Sequence, residues 1–94
     1  MEQLPPELEE KRRDLARALG RPVYVRGIRT PDPGLRGRLR VERHRVLIEY
    51  QVAEQGYFWH IPIIAELLAR AAAGQPAAEL REPPPDGEGE RPGG

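Results

Sequence analysis

The chain has 94 residues, enough for a single domain, and balances 15 basic against 15 acidic side chains with 10 Gly and 11 Pro. It contains no Cys, Ser or Asn and a single Thr, Thr30, so disulfides, thiolate metal sites and Cys or Ser nucleophiles are excluded. No apolar run approaches the roughly 20 residues of a membrane span, and the opening MEQLPPELEE carries four Glu and no apolar run, so a cytoplasmic protein with no membrane partner is expected. Fourteen of the basic residues are Arg, which together with the missing thermolabile Asn and Cys points to a thermophilic source.

The first element is a helix over residues 6–19. Pro5 and Pro6 suit its first turn, where a missing N–H costs nothing, and Glu7, Glu9 and Glu10 complement the positive end of the dipole. Leu4, Leu8, Leu15, Ala18 and Leu19 share one broad face, and Gly20 supplies the stop. Glu7 with Lys11 and Glu9 with Arg13 are i,i+4 pairs in the favourable order.

Three strands are predicted next, over 22–29, 35–42 and 45–53, from β-branched composition and alternation. The TPDPG stretch (30–34) joins the first two as a rigid turn, and Arg43-His44 closes a hairpin between the second and third. A turn there sets Val41 opposite Val46, Leu39 opposite Ile48 and Gly37 opposite Tyr50 on one face, with Tyr50 covering bare glycine backbone. Arg40 then faces Leu47, Arg38 faces Glu49 and Arg36 faces Gln51 on the other. If the first strand lies beside the second, Val23 and Val25 join the dry face while Tyr24 and Arg26 join the arginines.

Residues 57–61, YFWHI, read as a short fourth strand or as an aromatic entry to a last helix, which carries Ile61, Ile64, Ala65, Leu68 and Ala72 at helical spacing and stops at Gly74. Beyond Gln75 the chain is acidic, rich in Pro and Gly, and has little to bury. The expected fold is therefore α+β: an N-terminal helix, a three- to four-stranded antiparallel meander and a C-terminal helix. The domain spans 1–75 and a disordered tail spans 76–94. A core this small rarely supplies more than about 3–5 kcal/mol unaided, so a homodimer is expected.

Zero net charge conceals an asymmetry. Residues 11–45 carry twelve basic side chains against Asp14, Asp32 and Glu42, whereas both ends of the chain are acidic. Arg26, Arg36, Arg38 and Arg40 on one sheet face, with Arg43 and Arg45 at the hairpin, form the footprint of a polyanion-binding surface. Guanidinium forks match phosphate oxygens, so RNA or DNA backbone is the candidate partner. Tyr24 on the same face is a candidate stacking residue, and Phe58 and Trp59 are candidate stacking or protein-interface residues. The structural alternative is a solvated face, with Arg38 paired to Glu49 and arginine stems lying over apolar sheet.

Enzymatic chemistry has few supports. His44 and His60 lie sixteen residues apart without metal-ligand spacing, no phosphate-binding Gly loop is present, and Glu49 is a lone carboxylate among arginines. The residues thus read as a small non-catalytic binding module with no cofactor, no metal and no catalytic residues. Its basic sheet face would contact nucleic acid. The alternative is a protein-interaction or homo-oligomerisation module, with Trp59 or Phe58 as anchor.

Overall fold

A computed structural model describes residues 4–32, 34–52 and 61–81. Helix α1 runs Pro6–Leu19, as its capping chemistry predicts: Pro5 O accepts the N–H groups of Leu8 and Glu9, and Gly20 ends the helix at φ 67°. Leu8 and Leu15 are its buried residues. Arg12 donates through Nη1 to Val23 O at 3.1 Å and ties the helix to the first strand.

The strands are β1 (Val23–Ile28), β2 (Leu35–Val41), β3 (Val46–Gln51) and β4 (Ala77–Arg81), with helix α2 (Ile61–Ala72) between the last two. The β2–β3 hairpin has the register read from the sequence, pairing Val41 with Val46, Leu39 with Ile48, Gly37 with Tyr50 and Arg38 with Glu49. At its turn, Glu42 N–H donates to Arg45 O at 2.7 Å.

Two expectations are corrected. The sheet is mixed, in the order β1-β3-β2-β4, and not an antiparallel meander. β1 lies parallel to β3, setting Val23 beside Val46 and Val25 beside Ile48. The physical reason is visible in β3, whose VLIEY run is buried at every position and therefore takes two neighbours. The 29–34 connection consequently passes across the end of β3, where Gln51 holds it. Gln51 Oε1 accepts the Thr30 N–H at 2.9 Å, and Nε2 donates to Thr30 Oγ1 at 3.0 Å and Asp32 O at 3.2 Å.

The second correction concerns the domain boundary at 75 and the disordered tail. Residues 77–81 form β4, antiparallel to β2, pairing Arg38 with Glu79 and Leu39 with Ala78. α2 carries the chain back along the sheet, and the open edge of β2 then supplies hydrogen-bond partners that a sequence as weakly β-forming as AAELR does not advertise. The reading of 57–60 as strand or helix entry, and of 82–94 as tail, lies outside the described residues.

Both helices cover one sheet face. Leu8, Leu15, Val23, Leu39, Val46, Ile48, Tyr50, Ile64, Leu67, Leu68 and Ala71 form the core, with Ala78 and Leu80 of β4 packed against it. A row of Gly27, Tyr50 and Gly37 crosses the three strands β1, β3 and β2. The Tyr50 ring sits closest to Gly27, where an added Cβ would meet its Cε2 at 3.1 Å. Gly37 instead admits α2: a Cβ there would lie 2.6 Å from Ile63 Cγ2 and 3.1 Å from Leu67 Cδ1. Among the described residues no helix is long and apolar enough to cross a membrane.

Candidate functional site

Strand alternation puts Tyr24 and Arg26 of β1, Leu47 and Glu49 of β3, and Arg36, Arg38 and Arg40 of β2 on the face away from the helices. The parallel pairing of β1 with β3 sets Arg26 directly beside Glu49, while β2 sets Arg38 on its other side. Glu49 is thereby the hub of the face. Its side chain is 1 % exposed, and Arg26 donates to Oε2 through Nε at 2.9 Å and Nη2 at 2.7 Å. Arg38 Nε donates to Oε1 at 2.7 Å, and Arg40 Nη2 stands 3.8 Å from the same oxygen.

Burial opposes ionisation of Glu49, but the hydrogen bonds from Arg38 and Arg26 outweigh it and hold the carboxyl below its ordinary range. The carboxylate is therefore charged at neutral pH. Three guanidinium groups gather around one anion.

The remaining candidates sit around this hub. Arg45 pairs with Glu42 at 2.8 Å, and Arg40 also lies 3.7 Å from Glu42. Arg43 is exposed at the turn, and Arg36 is half-buried on β2. Tyr24 is 50 % exposed, the only large hydrophobic side chain so exposed among the described residues. Phe58 and Trp59 lie outside the described residues.

Sequence reasoning understated Glu49, which was assigned to Arg38 alone because β1 was expected beside β2. It also missed Arg81, which pairs with Asp32 at 2.9 Å and Glu79 at 2.9 Å and extends the ionic face to the fourth strand. The i,i+2 spacing of Glu79 and Arg81, which puts both on one face of a strand, was the available signal. Among the described residues no group of three or more acidic or His side chains is placed to hold a metal.

A second surface lies opposite. The C-terminal halves of α1 and α2 leave a groove of about 510 Å³ lined by Leu15, Ala18, Leu19, Leu68, Ala69 and Ala72, together with Lys11 and Asp14. It holds no convergent polar groups and offers contact area without chemistry. In comparisons with known proteins, no family model matches the chain, and no curated protein or solved structure shows significant similarity to it.

Proposed function

We propose that this protein is a small non-catalytic binding module whose arginine face contacts the phosphate backbone of RNA or DNA in the cytoplasm. The supporting observation is the sharing of one buried carboxylate by Arg26, Arg38 and Arg40. A guanidinium has five N–H donors; Arg26 commits two to Glu49 and Arg38 one. The others are available to phosphate oxygens, and the side chains are already held in place, which lowers the entropy lost on binding. Tyr24 beside them offers a ring face to an unpaired base.

Fluorescence anisotropy of labelled single- and double-stranded oligonucleotides tests this. Binding at low salt should weaken steeply as salt rises, with a log–log slope of about −0.7 to −0.9 per phosphate engaged. Replacing Arg26, Arg38 and Arg40 with Gln in a Glu49→Gln background, so that no buried carboxylate is left without a cation, should abolish it relative to Glu49→Gln alone while circular dichroism matches that of Glu49→Gln. An oligonucleotide affinity that survives the triple replacement contradicts the proposal.

The groove between α1 and α2 favours a second reading, as a protein-interaction or homodimerisation module. Its small side chains allow close approach of another helix, and the domain is small enough to gain from burial against a second copy. Light scattering of the protein and of an Ala69→Glu, Ala72→Glu variant decides it: a dimer that dissociates in the variant supports the reading, and a monomer in both removes self-association.

A further inference from the structure

We infer that β1 is a docking edge for a second copy of this chain, which adds its own β1 antiparallel and joins two four-stranded sheets into one. The inference stands independently of the polyanion reading and places self-association at the sheet edge, away from the helical groove. In the order β1-β3-β2-β4 the edges are β1 and β4. β4 is blunted as edge strands commonly are: it has five residues, Glu79 and Arg81 are charged, and its pairing with β2 is irregular between Leu35 and Gly37. β1 keeps an unbroken register with β3 over all six residues, and its one charge, Arg26, is already held by Glu49.

The backbone of β1 faces outward at alternate residues. Val46 N–H donates to Pro22 O and Val52 N–H to Ile28 O, so the even-numbered residues of β1 bond to β3. The N–H and C=O groups of Val23, Val25 and Gly27 therefore point away from the sheet. Arg12 Nη1 takes Val23 O at 3.1 Å, and the remaining groups have no hydrogen-bond partner among the described residues. Gly27 is exposed and Val25 half-buried, although Ile48 beside Val25 is wholly enclosed.

The strand is self-complementary about Val25. A two-fold axis there pairs Val25 with the partner's Val25, Val23 with the partner's Gly27 and Tyr24 with the partner's Arg26. Every outward group then finds a partner, since Val23 O has a second lone pair beside the one Arg12 uses. Tyr24, the large hydrophobic side chain left 50 % exposed, falls in the closely spaced non-hydrogen-bonded pair, where its ring meets a guanidinium that Glu49 has already oriented. Shifting the axis to residue 26 would oppose Arg26 to its own copy, and shifting it to residue 24 would set Gly27 against Arg21, outside β1. In the favoured register like charges meet only beyond the strand ends, at Arg21 and Arg29, where salt screens them. Both arginine faces come to lie on the same side of the joined sheet.

Light scattering of the full chain at moderate salt should give twice the mass of one chain. By NMR, the amides of Val25 and Gly27 should exchange with solvent more than about tenfold more slowly than in a monomeric variant. Tyr24→Lys sets an ammonium against the partner's Arg26, and Val25→Pro removes an N–H that β3 does not use, so both should be monomers with unchanged circular dichroism. The Ala69→Glu, Ala72→Glu variant should remain a dimer. If Val25→Pro loses the fold, Tyr24→Lys decides alone, because its side chain is exposed. A monomer at concentrations up to about 1 mM, a dimer that persists in Tyr24→Lys, or a dimer whose Val25 and Gly27 amides exchange freely overturns the inference.

Discussion

Leu39 and Leu47 are the same residue type on adjacent strands, each 1 % exposed, yet they are buried by different means. Leu39 belongs to the helix-covered core and has Ile48 as its sheet neighbour. Leu47 lies on the other face, between Tyr24 of β1 and Arg40 of β2, with Glu49 two residues along its own strand. One face is closed by apolar side chains held on rigid helices. The other carries long amphipathic side chains whose stems cover apolar surface and whose charged ends meet a carboxylate and water. The contrast explains how a two-layer domain presents arginines without exposing its sheet: the ionic layer is both its outer cover and its candidate binding surface.

The largest expected effect tests this contrast directly. Leu39→Ala should cost about 3 kcal/mol, because the helices cannot close the cavity, whereas Leu47→Ala should cost about half that, because flexible stems and water can fill the space. Urea denaturation of the two variants measures the difference, and equal losses would show that the two faces are equally rigid. Next, Gly37→Ala should destabilise by about 1–3 kcal/mol, since its Cβ would press on Ile63 and Leu67 and push α2 off the sheet. Gly20→Ala meets no neighbouring atom, so any loss there reports only the strain of φ 67°.

The arginine face should respond through charge. Glu49→Gln should cost about 1–2 kcal/mol at neutral pH, less than for a fully enclosed ion pair, because the freed Arg26 and Arg38 are 54 % and 34 % exposed and can hydrate. The loss should depend on pH. Glu49 is held below its ordinary pKa when folded, so between the unfolded and folded values the unfolded chain binds more protons. The stabilisation is present above the ordinary carboxylate range and is lost as pH falls through the folded value. Thermal midpoints of the protein and of Glu49→Gln should therefore converge as pH falls below about 4. Glu9, lowered to about 2 by hydrogen bonds from Arg12 and then Arg13, adds an acid-sensitive contribution in both proteins.

The smallest effect on stability belongs to Arg40→Gln, at or below about 0.5 kcal/mol, since its partners stand 3.7 and 3.8 Å away and it is 47 % exposed. If Arg40 contacts phosphate, the same substitution should reduce the salt slope of oligonucleotide binding by about one phosphate. A fall in stability with no change in slope would make Arg40 a structural residue of the ionic layer.

Local chemistry was legible along the chain. The Pro5-Pro6 entry and Gly20 stop set both ends of α1, Gly74 follows α2 with φ 92°, and period-two alternation about Arg43-His44 set the hairpin register. Those features depend on a few neighbouring residues, and a one-residue slip would have turned apolar side chains to the wrong face. Which strand stands beside which was not legible, because pairing depends on where a connection lands. The 29–34 segment suits a short turn but crosses β3 under the hold of Gln51, and β4 exists because α2 delivers a weakly β-forming segment to the open edge of β2. That same long-range choice made the candidate site. Sequence alternation alone assembled the arginines on one face, but only the placement of β3 between β1 and β2 brought Arg26 and Arg38 to opposite sides of one Glu49, since a strand's two neighbours are selected by burial across the sheet and not by the residues adjoining it in the chain.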